Sequence, residues 1–316
     1  MVENQLYKKD IISIRDFSKS DLEFIFNSTN IINSLNFRQK NELAFGKVLG
    51  YIFYEPSTRT RMSFEAAMAS LGGNSIGIFD SKFSSIEKGE SLSDTIKIMD
   101  LYSDIIILRH SGDGSSRYAS ELAKNPIINA GSGSEEHPTQ AMLDLYTIMK
   151  EKGKIDGLKI GIVGDLKYGR TVYSLLYGLI NYNVKVYLIS PNGLGIRKES
   201  IFEIQDRIMI EENNNLEEII SDLDVLYVTR IQKERFADIQ EYEKVKGTYT
   251  VDENMMEKIK SDLIIMHPLP RIDEIAYFID NTKNAVYFKQ ALYGKELRSA
   301  LLALILNEDP FKNNYV

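Results

Sequence analysis

Short apolar runs alternate with helix-period patterns along nearly the whole chain. The spacing predicts strands at 47–53, 75–79, 104–108, 126–129, 158–163, 184–189, 223–228 and 262–266. Several are apolar at consecutive positions, such as Asp104-Ile105-Ile106-Ile107-Leu108 and Leu158-Lys159-Ile160-Gly161-Ile162-Val163. Runs apolar on both faces are what parallel strands need when helices cover both sides of a sheet. Helices are predicted at 20–34, 60–71, 91–102, 115–123, 137–150, 169–181, 197–211, 252–259 and 288–306. This alternation predicts an α/β protein of two doubly wound domains, each a mainly parallel sheet flanked by helices.

The boundary is expected after the helix 137–150, at the polar turn Glu151-Lys152-Gly153-Lys154-Ile155-Asp156-Gly157, with a new strand beginning at Leu158. The last helix carries an apolar stripe of Ala291, Leu292, Leu297, Leu301, Leu302 and Ile305. It is expected to pack back on the first domain, giving domains of 1–150 plus 288–316, and 151–287. Neither an internal repeat nor a low-complexity linker interrupts the pattern.

Composition narrows the chemistry. The chain has 316 residues, 43% hydrophobic and 26% charged, which suits two real cores. With no cysteine and three histidines, thiol catalysis and thiolate metal sites are excluded, and little is left for any other metal site. Neither a secretory signal nor a membrane-spanning run is visible, so a cytoplasmic location is expected. A net charge of −7 argues against a broad nucleic-acid surface but not against a locally cationic pocket. Arginine usage is selective. There are 25 lysines and 13 arginines, yet the candidate motifs use arginine at 59, 61, 109, 170, 230, 271 and 298. Planar, bidentate recognition of phosphate or carboxylate explains that choice.

The densest motif is Pro56-Ser57-Thr58-Arg59-Thr60-Arg61-Met62-Ser63-Phe64-Glu65, where a predicted buried strand gives way to a helix. A helix start offers backbone N–H groups without intrahelical partners and a dipole favouring anions. A simple N-cap needs one hydroxyl and gains nothing from adjacent arginines. Arg109 follows another predicted strand directly. His137-Pro138-Thr139-Gln140 opens a helix with proline at the favoured first position, so His137 and Gln140 share a face. A histidine there can donate to a substrate oxygen and a glutamine can hold an amide-like group. Gly164-Asp165-Leu166-Lys167-Tyr168-Gly169-Arg170 lacks the glycine spacing of a dinucleotide site. Arg170 at a helix start is disfavoured by the dipole unless an anion offsets it. Thr229-Arg230-Ile231-Gln232 and His267-Pro268-Leu269-Pro270-Arg271 repeat the pattern at two more strand ends. The two prolines fix the backbone there and leave carbonyls available to a ligand NH₂. Ser84-Ser85-Ile86-Glu87-Lys88 reads, by itself, as a solvated loop.

Together, Ser57 to Arg61, His137 to Gln140, Asp165 to Val172 and His267 to Arg271 resemble the catalytic chains of the aspartate/ornithine carbamoyltransferase superfamily, from about Asp16 to Leu306. The later motifs resemble the aspartate branch; the ornithine branch typically has cysteine where this chain has Pro268. The resemblance implies carbamoyl transfer from carbamoyl phosphate to the α-amine of L-aspartate in pyrimidine synthesis, with no cofactor or metal. It implies a cyclic homotrimer with shared active sites, and leaves open a separate regulatory chain. By motif, Ser57, Thr58, Arg59 and Thr60 would bind phosphate, while Arg109 and His137 would act on the carbonyl oxygen. Gln140 and the carbonyls of Pro268 and Leu269 would hold the carbamoyl NH₂. Arg170, Arg230 and Gln232 would bind aspartate, and Ser84 and Lys88 would arrive from a neighbouring subunit. Arg298 matches a family arginine linked to the phosphate or to stabilising the site. A relative using another amino acid such as ornithine, and a non-catalytic assembly or regulatory homologue, are the alternatives.

Overall fold

A computed structural model describes residues 4–79, 89–133, 136–231, 239–245 and 247–312. In chain order the elements are α1 (Lys19–Ser34), α2 (Phe37–Glu42), β1 (Val48–Phe53), α3 (Thr58–Ser70), β2 (Asn74–Ile78), α4 (Leu92–Tyr102), β3 (Ile105–His110), α5 (Ser115–Leu122), β4 (Ile127–Ser132) and α6 (Pro138–Lys152). They continue through β5 (Lys159–Val163), α7 (Arg170–Leu179), β6 (Lys185–Ile189), α8 (Lys198–Ile204), β7 (Met209–Asn213), α9 (Leu216–Ile219), β8 (Val225–Val228), α10 (Ile239–Val245), α11 (Glu253–Lys258), β9 (Ile264–Met266) and α12 (Tyr287–Leu306). The chain forms two compact units, Met1–Leu143 with Tyr293–Val316, and Asp144–Leu292. The division falls inside α6 and inside α12.

The first unit is built on a parallel sheet of order β2-β1-β3-β4. Its core includes Ile52, Ile96, Ile106, Leu108, Ala119 and Ile127, each fully buried. From Tyr293 onward α12 belongs to this unit, as expected of the last helix. Asn4 donates to the carbonyls of Leu304 and Asn307, and Lys8 N–H to that of Ile305.

The second unit is a parallel sheet of order β7-β6-β5-β8-β9. Its core includes Val163, Leu223, Leu226, Ile265 and Ile279. The two-unit α/β architecture agrees with the hydrophobic pattern. One predicted helix, 197–211, is corrected: α8 stops at Ile204, and Met209–Asn213 is the edge strand β7. An edge strand buries little, so Glu211 and Glu212 are tolerated and the apolar signal is lost.

In each sheet the strand order reverses once. β1 is followed outward by β2 on one side while the chain crosses to β3 on the other, and β5 stands likewise between β6 and β8. Such switch points open a crevice beyond the carboxyl ends of two adjacent strands, where ligands bind in α/β sheets.

Candidate active-site residues

The first unit's switch point lies beyond β1 and β3. Phe53 pairs with Arg109 in register, and Tyr54 N–H donates to the Arg109 carbonyl at 2.9 Å. The chain then turns into α3, whose first three residues are Thr58, Arg59 and Thr60. Ser57 holds the N-cap position, but its hydroxyl makes no hydrogen bond to the first turn. Elsewhere Ser18, Asn36, Ser91 and Asp252 cap their helices through the side chain. No acidic residue offsets the dipole in the first turn of α3. Thr60 is buried, Ser57 half-buried, and Thr58 and Arg59 are exposed. The arrangement leaves first-turn N–H groups, a free cap position and a guanidinium at one helix start, which suits an anion.

Arg109 is anchored through Nη1 to the Ala130 carbonyl at 3.0 Å, with Nη2 3.7 Å from Glu55 Oε2. Those contacts fix the fork at the β3 end. His137 is 4% exposed and immediately precedes α6; its carbonyl accepts from Gln140 N–H at 2.9 Å. Glu136, the next residue back, accepts from Ser13 Oγ at 2.8 Å and Ile14 N–H at 3.4 Å. Burial raises its pKa above the ordinary carboxylate value against those bonds. Arg298 of α12 is 4% exposed, donates to Ser63 Oγ at 2.9 Å and lies 4.9 Å from the Phe64 ring centre. A longer contact of 3.5 Å reaches Thr139 Oγ1. It therefore braces α3 against the start of α6.

In the second unit, the switch point lies between β5 and β8. Gly164 directly follows β5, and Thr229-Arg230 directly follows β8, with Thr229 N–H and Oγ1 donating to the Val163 carbonyl at 2.8 and 3.0 Å. Gly164, Arg230, Tyr242, Tyr249 and Asp273 line a small solvent-open recess. Arg170 is the first residue of α7, behind an N-cap glycine that offers no side chain. Pro268 and Leu269 follow β9 and are half-buried. Leu269 has φ of +58° and precedes Pro270 through a cis bond. Left-handed backbone at a branched residue costs about 1–3 kcal/mol and persists only where the surroundings impose it.

Arg271 differs from the sequence reading. Its place after a strand suggests a ligand contact, but its fork is taken up by Asp280 and by Tyr287 Oη, and its guanidinium stacks 4.8 Å from the Tyr277 ring centre. The hydrogen bond from Arg271 holds the Asp280 carboxyl below its ordinary value of 3.8. Such a pair stabilises the fold above that value and ceases to do so as the pH falls through the depressed pKa. Asp280→Asn is accordingly expected to lower the melting temperature at pH 7, with the deficit shrinking progressively below pH 3.8. A deficit that stays constant down to pH 2 would contradict the pairing.

Ser84, Lys88 and Gln232 lie outside the described residues. Within each unit, the other candidates gather at that unit's strand ends. Sequence reasoning missed Tyr242, Tyr249 and Glu274, and gave Gly164 and Thr229 no role of their own within their motifs. Among the described residues, no cluster of three or more histidine, aspartate and glutamate side chains could hold a metal ion, and no helix is long and apolar enough to cross a membrane.

Cationic helix starts and strand ends at two switch points define a protein that handles small anionic ligands. Residues 9–150 match the aspartate/ornithine carbamoyltransferase carbamoyl-P binding domain, and residues 156–305 match the Asp/Orn binding domain of the same family. The chain belongs to the aspartate/ornithine carbamoyltransferase family. It is similar to the aspartate carbamoyltransferase catalytic subunit of Nitrosopumilus maritimus (strain SCM1), at 63% identity over 98% of this chain and 100% of that protein. Among solved structures it resembles the catalytic subunit of M. jannaschii aspartate transcarbamoylase, with a TM-score of 0.86 and 49% identity over 97% and 99% of the two chains. The Trypanosoma cruzi aspartate transcarbamoylase in complex with carbamoyl phosphate and aspartate gives a TM-score of 0.89 at 36% identity, over 96% and 97%.

Proposed function

We propose that the protein catalyses attack of the L-aspartate α-amine on carbamoyl phosphate, giving N-carbamoyl-L-aspartate and phosphate for pyrimidine synthesis. The observation that carries this reading is the α3 start, where an unused cap hydroxyl, two threonines and Arg59 sit at the same switch point as Arg109. That set suits the phosphate group of an acyl phosphate. Ser57, Thr58, Arg59 and Thr60 bind the phosphate, and Lys88 of an adjoining subunit completes its neutralisation, with Ser84 of that subunit adding a hydroxyl donor. Gln140 and the Pro268 and Leu269 carbonyls hold the carbamoyl NH₂. Arg170, Arg230 and Gln232 bind the two aspartate carboxylates, with Lys88 and Leu269 also serving that substrate. The assembly is a homotrimer in the cytoplasm.

The chemistry follows from charge. Carbamoyl phosphate and aspartate with a free amine are both dianions, so their approach is opposed until fixed cations neutralise them. Holding them in alignment supplies up to about 7–11 kcal/mol. The amine nitrogen bonds to the carbonyl carbon and an oxyanion forms, stabilised by Arg109, Thr60 and His137 through preformed donors. Collapse of that intermediate breaks the carbon–oxygen bond to phosphate. The departing phosphate takes the amine proton, so no separate protein base is needed.

A colorimetric assay for the ureido product, run with aspartate, ornithine and N-acylated ornithine, tests the reading. Product with aspartate alone is expected; turnover of ornithine in its place would select the other branch of the family. The shared site has its own test. Inactive Lys88→Ala and inactive Arg109→Ala chains, mixed and exchanged, should regain activity in hybrid trimers. No recovery after exchange is verified by mass would place Lys88 in the same chain's site.

A further inference from the structure

Leu269 combines two conflicts, a left-handed φ and a proline directly after it, which ordinarily drives the preceding residue to extended backbone. A specific chain of bonds leads to it. Leu269 N–H donates to His267 Nδ1 at 2.7 Å, so Nδ1 carries a lone pair and no proton. The proton of a neutral ring then sits on Nε2, which lies 2.7 Å from Glu274 Oε1. Both partners are buried, His267 at 2% and Glu274 at 7% exposure. The second oxygen, Oε2, accepts from the N–H groups of Ile272 and Asp273 at 3.0 and 3.1 Å. His267 N–H donates to Gln290 Oε1 at 2.9 Å, and Gln290 Nε2 to Asp144 Oδ1 at 2.7 Å, which fixes the ring's own backbone.

Although Glu274 lines the recess beside Arg230, both its oxygens are occupied by the protein. It is spent on His267 and is not offered to a ligand. Burial works against its charge, but the bonds from His267 and the backbone N–H groups prevail, and its pKa lies below the ordinary glutamate value. The carboxylate form is therefore the one that meets the ring.

We propose that Glu274 is a positioning residue: by accepting from His267 Nε2 it selects the tautomer whose Nδ1 holds Leu269 in its left-handed conformation, and so aims the Pro268 and Leu269 carbonyls. The inference rests on the assignment of those carbonyls to the carbamoyl NH₂. Glutamine in place of Glu274 has one oxygen and one NH₂. If its oxygen keeps the Ile272 and Asp273 N–H groups, its NH₂ faces Nε2 and drives the ring proton to Nδ1. Two donors then confront each other at Leu269, and the loop relaxes. Because displacement of a reacting group by ~1 Å can cost about a hundredfold, kcat of Glu274→Gln should fall by about that factor.

Three histidines make the ring directly readable by ¹⁵N-histidine NMR of the intact protein. The wild type is expected to carry its His267 proton on Nε2 at neutral pH, and Glu274→Gln on Nδ1, with inorganic phosphate binding unchanged. Glu274→Asp, which keeps a carboxylate, should retain the wild-type tautomer and recover much of the lost kcat. His267→Asn supplies an amide oxygen where Nδ1 stood, so Leu269 keeps an acceptor that does not depend on Glu274. In that background Glu274→Gln should cost far less than a hundredfold. Independent effects would multiply within about twofold, and that result would overturn the proposal. So would a wild-type His267 protonated on Nδ1, a reading that needs no folded variant. Failure of the wild type to carbamoylate aspartate would refute the activity instead, and leaves the tautomer measurement to stand by itself.

Discussion

Replacing Arg109 with alanine is expected to lower kcat by about 100- to 1,000-fold, the usual cost of one preformed oxyanion donor. The reason lies in how rigidly the fork is held. β3 is buried from Ile105 to Leu108, and the guanidinium leaves its end already bonded to the Ala130 carbonyl. Nothing has to be reorganised when charge develops on the substrate oxygen. Glu55, 3.7 Å from the fork, makes alanine worse than neutral, because the carboxylate then faces the bound anion without its cation. Glu55→Gln added to Arg109→Ala should therefore recover part of the loss. Arg109→Lys keeps a charge but not two parallel donors, and should restore less than that charge alone suggests. The fold should survive, since the fork sits outside the apolar core of Ile52, Ile106 and Leu108. Steady-state kinetics beside a melting curve decides the matter: an unchanged kcat with a collapsed melting temperature would make Arg109 a structural residue.

What could be read from the sequence divides along a physical line. β1, β3, β5 and β8 were legible because a strand covered on both faces must be apolar at almost every position. The edge strand β7 was not, because its exposure lets Glu211, Glu212 and Asn213 stand where apolar residues would write the signal. The segments at the starts of α3 and α7 stood out for a different reason: an arginine at a dipole's positive end is a locally unfavourable choice unless an anion offsets it. Arg271 shows the limit of that logic. Its residue type and its position after a strand match Arg230, yet Asp280 and Tyr287, close in space and remote in any pattern, take its fork. Glu274 was invisible because it works through His267 and carries no periodicity. The switch points could not be seen either, since strand order is a long-range property. Only the order β2-β1-β3-β4 shows that Arg109 and the α3 start adjoin.

The second large effect is expected at Gly164, a position that looks replaceable in sequence and is not in space. Its φ is +119°, and a Cβ there would lie 2.2 Å from the Thr229 carbonyl oxygen and 2.6 Å from Thr229 Oγ1. Neither neighbour can yield cheaply. Thr229 is fastened to the Val163 carbonyl by both its N–H and its hydroxyl, and Gly164 N–H is bonded to the Ile189 carbonyl at 3.0 Å. Overpacking costs about 1–3 kcal/mol and a left-handed backbone about 1–2 more, so Gly164→Ala should destabilise the second unit by about 2–5 kcal/mol. For a unit of this size that is a fall of roughly 5–15 °C in melting temperature. Relief requires the ends of β5 and β8 to part, and Arg230 directly follows Thr229. The aspartate KM should therefore rise while the affinity for phosphate, assigned to the other unit, holds. Gly193→Ala is the control, with φ of +87° and nothing within 4 Å of the added carbon. It carries the backbone cost without the clash, so it should lose less stability and leave the aspartate KM unmoved. Equal losses from the two substitutions would show that the close approach of β5 to β8 does not set the position of Arg230.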